Sequence, residues 1–172
     1  VGHVFGDEGS GNGNGGGDPV TYDTDAQAYF DALTVQPSAD WKAAVNTFVE
    51  GLKTDGLWSE MALISVMAAE QKQHALVNLV DPTDTATDTT SGGDTPVIHT
   101  ANVGLQRHST SGLILWNNTP ADYGITSGDG IIAAHIRTNN TQGIVCGDNH
   151  ASNFRTQLWL NPTIIRGRMQ SA

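Results

Sequence analysis

The sequence has a single cysteine, Cys146, among 172 residues, so no disulfide can close within the chain. Its neighbours Ile144 and Val145 are apolar, and it reads as a buried core thiol. No run of 18 apolar residues occurs, so no helical membrane span is expected. Charged residues make up only 15% of the chain, against about 25% in an average soluble domain. After residue 100 there is no lysine and no glutamate. The chain opens at Val1 rather than Met and carries no signal-peptide pattern, as expected after removal of an initiator Met or of a longer segment.

Catalytic signatures are also missing. There is no G-x-S-x-G, no P-loop and no dinucleotide-binding fingerprint. A glycosidase needs two suitably placed carboxylates, whereas the second half offers only Asp122, Asp129 and Asp148. The six histidines form no H-x-H or H-x-x-x-H pair. His135 and His150 could meet across strands at a zinc, but the ordinary sheet residue is the commoner explanation. The string "CGDNHAS" at 146–152 contains metal-ligand types, Asp148, Asn149 and His150, in the order used by metallophosphoesterases. It lacks the upstream D-x-H that such sites require, and a β-turn accounts for it. A calcium loop starting at Asp7 would have Gly9 and Gly11 at ligand positions. The expectation is a non-enzymatic chain without a cofactor or a metal.

The formal net charge is −10, unevenly distributed. Residues 1–100 carry three lysines against fifteen carboxylates; residues 101–172 carry five arginines against three aspartates. An acidic chain repels a phosphate backbone, and arginines spaced as Arg107, Arg137, Arg155, Arg166 and Arg168 read as too dispersed to offset that. Nucleic acid is not the expected partner.

Against these absences stands a clear division of the chain. Residues 1–21 are a glycine-rich leader in which Val4 and Phe5 are the candidate anchoring residues. Such a segment cannot order itself and is expected to be held in an assembly. Residues 22–80 read as a helical module. A first helix is expected over 25–35, capped by Thr24 or Asp25. A second follows Ser38, with Trp41, Ala44, Val45, Phe48, Val49 and Leu52 at helical spacing and Gly56 as its stop. A third is expected from Trp58 to Gln73, apolar nearly all round and central to a bundle, with "HALVNLV" continuing it or forming a short fourth segment. Trp41, Phe48 and Trp58 are read as core packing.

Residues 81–95 read as a polar linker, and 96–172 as a β-rich domain. Strand candidates are 95–100, 112–117, 130–138, 143–147, 154–160 and 163–169, separated by "NNTP", "SGDG" and "NNTQG" turns. That spacing predicts an antiparallel sandwich or jelly roll. The "NNT" strings at 117–119 and 139–141 are formal glycosylation acceptors, but Asn is expected at turns. The fold class expected is therefore α+β, a small N-terminal helical bundle followed by an antiparallel β-sandwich. In the run 154–160, Phe154, Thr156, Leu158 and Leu160 share one face, and Arg155, Gln157 and Trp159 the other.

Two stretches carry a family resemblance: "DAQAY" at Asp25–Tyr29 and F-V-x-G-L-K-x-D-G-x-W at Phe48–Trp58. With "AEQKQHALVNLVDPT", they resemble a helical module of bacteriophage and prophage virion proteins of the tail-fibre type. In that family a concanavalin A-like (LamG-type) jelly roll follows, and "DTPVIHTANVGLQ" and "GDGIIAAHIRTNNTQGIVCGDN" are similar to its first strands. The resemblance covers most of residues 22–150. It implies a virion structural protein (fibre, spike or capsid decoration component) in contact with other virion proteins and with copies of itself, as a trimer or higher oligomer. It also implies lectin-like contact with host-surface glycan. The resemblance assigns no residue to that contact; aromatic faces are the usual sugar platforms, which makes Trp116 and Trp159 the candidate residues. A jelly roll of this type needs more strands than residues 96–172 supply, so the sandwich is expected to be incomplete or completed by a neighbouring chain. The alternatives are a free secreted carbohydrate-binding module and, behind it, a metal-dependent hydrolase using Asp148 and His150.

Overall fold

The computed structural model describes residues 20–90, 97–106, 112–116, 118–119, 121–124, 133, 143–147, 154–161 and 164–171. The chain is α+β, with helices first and small antiparallel sheets after them. Helix α1 spans Thr24–Ala32. Its cap is Asp23, one residue before the expected position, whose carboxylate accepts from the Asp25 amide at 2.9 Å. The helix stops early because the Gln36 side chain folds back and donates to the carbonyls of Phe30 (2.8 Å) and Leu33 (3.0 Å). Those are among the acceptors a helix C-terminus leaves without partners.

Helix α2 spans Ala39–Thr54, with Ser38 as cap, accepting from the Trp41 amide at 3.2 Å. Gly56, at φ 70°, takes the left-handed position just past its end. The buried stripe is narrower than the sequence pattern: Val45 and Val49 are buried, Trp41 is half-buried, and Phe48 is 48% exposed. Phe48 is thus not core packing, since no element among the described residues covers its row of the helix.

The third helix does not form. Trp58–Glu60 make one 3-10 turn, residues 61–71 are non-helical, and only Lys72–Ala75 form a short helix α3. The reason is visible in the hydrogen bonds. Asn78, fully buried, accepts from the Ile64 and Val80 amides (3.0 Å each) and donates to the Ala62 carbonyl (3.0 Å). The Leu79 amide donates to the Ile64 carbonyl at 2.9 Å. These bonds hold residues 62–64 as an extended segment beside 78–80, and Ile64 and Val66 pack on the core from there. An apolar run without a 3.6-residue stripe gains more from that docking than from a helix.

The core consists of Ala26, Tyr29, Phe30, Leu33, Val45, Val49, Val77 and Leu79, with Tyr22, Trp41, Trp58, Ile64 and Val66 packed against it. Tyr29, Phe30, Leu79 and Val49 are completely buried; full burial of each such side chain contributes about 1.5–3 kcal/mol. The Tyr29 hydroxyl donates to the His74 carbonyl at 2.6 Å, and burial pushes its phenol well above the ordinary value. His74, also fully buried, donates from Nε2 to the Val35 carbonyl at 2.8 Å and packs against Trp41 with ring centroids 5.2 Å apart.

Part of the stretch read as linker is a strand. Residues 76–86 double back through a Val77–Thr85 bridge, and β1 (Ala86–Thr90) pairs antiparallel with β4 (Gly112–Trp116). Between them, β2 (Ile98–Thr100) and β3 (Gly104–Gln106) form a nested hairpin. Asn102 at φ 58° turns that hairpin, and its amide and His99 Nε2 both donate to the Ala69 carbonyl, at 2.9 and 3.0 Å. Strands β5 (Gly143–Gly147), β6 (Phe154–Asn161) and β7 (Ile164–Ser171) form a separate three-stranded antiparallel sheet in that order. The candidate strand at 130–138 lies outside the described residues except for Ala133.

Candidate functional site

The two candidate tryptophans lie in different sheets. Trp116 ends β4 opposite Ala86 and is half-buried. By strand alternation it shares a face with Ile114, Ala86 and Asp88, while Leu115, 47% exposed, is on the other. Trp116 therefore stands on the face that includes the buried Ala86.

Trp159 has different company. Strands β6 and β7 are separated by two residues, and their register pairs Arg155 with Gln170, Gln157 with Arg168, Trp159 with Arg166 and Asn161 with Ile164. Directly opposed residues in an antiparallel pair share a face. One face of this hairpin thus holds Arg155, Gln157, Trp159, Asn161, Ile164, Arg166, Arg168 and Gln170. The other holds Phe154, Thr156, Leu158, Leu160, Ile165, Gly167, Met169 and Ser171. On β5, Cys146 is opposite Leu158, hence on the apolar face, and a bulge between Ile144 and Cys146 sets Ile144 opposite Trp159. The alternation read from the sequence of β6 fits this register.

The sequence reading missed Arg166 and Arg168. Taken as single positions the arginines look scattered; the hairpin gathers three of five onto one face. The available signal was the "NP" at 161–162, a turn signal that folds two alternating runs onto each other. Neither β5, β6 nor β7 contains a carboxylate, and none occurs from Asn149 to Ala172.

The lysines of the helical module are, by contrast, all engaged. Lys53 pairs with Asp23 and Asp25, both at 2.6 Å, and lies 5.6 Å from the Trp58 ring centroid. The hydrogen bonds that Lys53 donates to Asp23 and Asp25 raise its pKa, and the bond to Asp23 holds that carboxyl below the ordinary range. Lys72 pairs with Asp88, and Lys42 donates to Gln36 at 2.7 Å. Glu70 accepts from the Ser38 hydroxyl (2.5 Å) and amide (2.8 Å), which lowers its pKa. The Tyr123 hydroxyl donates to buried Asp84 at 2.5 Å; desolvation, then that carboxylate, raises the Tyr123 pKa.

Among the described residues no group of three or more His, Cys, Asp or Glu side chains is placed to hold a metal, and no helix is long and apolar enough to cross a membrane. Val4, Phe5, His135, Asp148 and His150 lie outside the described residues. Comparison with protein-family models, with curated proteins and with solved structures gives no match.

Proposed function

We propose that this chain is a non-enzymatic structural component of a bacteriophage virion, a fibre, spike or decoration protein whose β-rich half is a jelly roll that contacts host-surface glycan. The observation that carries the reading is the stretch Phe48–Trp58 and its resemblance to the virion helical module. In the fold this stretch is the end of α2, the Gly56 turn and the Trp58 ring against the core. Helices followed by antiparallel sheets fit the order of that family. The leader, through Val4 and Phe5, attaches the chain to the particle, and the helical module serves as collar or adaptor.

Among the described strands the sheet β5–β6–β7 ends in β5 and β7, whose outer edges a strand from a neighbouring copy can extend. A sandwich completed between chains gives a trimer or higher oligomer. Each copy then contributes one weak glycan contact, and multivalency raises the avidity of the particle. Trp159 is the contact residue supported best, because its register places it on a face with three arginines and two glutamines.

The test is immunogold electron microscopy of particles from the source culture, with antibody raised against the recombinant chain. Label at a tail tip, collar or head surface is the expected result. Unlabelled particles with the chain free in solution would replace this reading with a secreted carbohydrate-binding module.

A further inference from the structure

We infer that the glycan is acidic, bound on the β6–β7 face where Trp159 stands opposite Arg166, with Arg168 and Arg155 on the same face; this rests on the glycan-contact reading above. The register is the primary observation. Arg166 and Arg168 are two positions apart on β7, hence about 7 Å apart along the strand. Trp159 is the direct register partner of Arg166. Gln157 lies across from Arg168, and Gln170 across from Arg155. By register the face carries Trp159, three arginines and the amides of Gln157, Gln170 and Asn161, with Ile164 and, on β5, Ile144 beside them.

Each component matches a part of an acidic sugar. An indole ring offers an apolar surface to the C–H face of a pyranose together with an N–H donor. A guanidinium presents a planar fork of donors that fits a carboxylate or a phosphate with two parallel bonds. The amides of Gln157 and Gln170 can pair with hydroxyls. A neutral glycan would leave three arginines without a use on this face, and no carboxylate in the sheet's own sequence neutralises them.

The same charges could in principle take nucleic acid, but the rest of the chain disfavours it. Residues 1–100 carry fifteen carboxylates against three lysines. A duplex or single strand brings a charge at every phosphate and would be repelled along its length. A glycan with one acidic group per repeat meets the arginine face locally and extends away with little charge.

The experiment uses the full chain, immobilised, with four soluble probes at equal mass: hyaluronan, which alternates a carboxylate sugar with a neutral one, a sparsely phosphorylated mannan, neutral dextran and single-stranded DNA. Retention of hyaluronan or phosphomannan, weakening with salt and exceeding that of dextran and DNA, is the expected result. The double variant R166Q/R168Q should lose about tenfold or more, since a hydrogen bond to a charged group is worth about that factor. R166K/R168K keeps the charge without the fork and should fall between. W159A should weaken every glycan alike, and circular dichroism confirms that each variant is folded.

Preferential binding of dextran would overturn the acidic assignment and leave glycan contact standing. Binding of acidic probes unchanged in R166Q/R168Q would overturn the face. Tighter binding of DNA would replace the glycan with nucleic acid. Binding of none of the four probes would overturn this inference, while the immunogold result decides the virion reading separately.

Discussion

The helical module and the β6–β7 hairpin use charge in opposite ways. In the module, Lys42, Lys53 and Lys72 each have a partner in the fold, and Asp23 and Glu70 each hold a backbone amide; just past it, Asp84 holds the Tyr123 hydroxyl and Asp88 the Val97 amide. Asp23 is typical: its amide donates to Asn46 while its carboxylate caps α1 and pairs with Lys53. In the hairpin, the three arginines share one face of a sheet that has no carboxylate of its own. Charge that organises the chain is paired within it. Charge of one sign gathered on a face is what a site for an outside anion requires.

The comparison can be tested by substitution. In the module the largest effect should come from Phe30→Ala. Phe30 is completely buried and meets Tyr22 edge-to-face with centroids 5.1 Å apart. Its loss should cost about 3–5 kcal/mol in urea unfolding. Asn78→Ala should come next, at about 2–3 kcal/mol, because the Ile64 and Val80 amides and the Ala62 carbonyl lose their partner in a buried site. A value near zero would show that water replaces the side chain and that Asn78 does not set the path of residues 61–71.

A smaller effect should appear with pH. Asp23 and Glu70 have folded pKa values held below their ordinary ones, by Lys53 and Ser38 respectively. The unfolded chain therefore binds protons first as pH falls. Their contribution to stability is complete above the ordinary carboxylate range and is lost as pH drops from that range through the lower folded values. Thermal melts from pH 7 to pH 3 should show that decline, and Glu70→Gln should flatten part of it. The smallest effect on stability should be that of R166Q/R168Q, within about 0.5 kcal/mol as for surface substitutions away from structural partners. A loss of several kcal/mol there would mean that the hairpin arginines are paired within the fold, and the contrast between the two regions would fail.

The helices were legible where a periodic apolar stripe was bounded by a cap and a stop. Ser38, Val45, Val49 and Gly56 gave α2 nearly to the residue. The segment 61–71 was not legible, because its docking is decided by Asn78, fourteen residues beyond Ile64. Nor was β1, a Thr- and Asp-rich string that is a strand only because Gly112–Trp116 pairs with it. Strands of the hairpin were readable from alternation, but the meeting of Trp159 with Arg166 depends on register, which a list of residue positions does not display.

The nesting of β2–β3 inside β1–β4 has a mechanical consequence. Ala86 is paired with Trp116, so the chain enters and leaves this ladder at the same end. Tension between the helical module and whatever follows β4 would therefore open the ladder one rung at a time from Ala86 towards Thr90, rather than loading all rungs together. Each rung yields in turn at low force, and the pair acts as a compliant hinge that lengthens before the helical core is disturbed. Optical-tweezer extension from residue 20 to residue 118 should show an early, gradual lengthening ahead of the module's own rupture; a single abrupt event would contradict it.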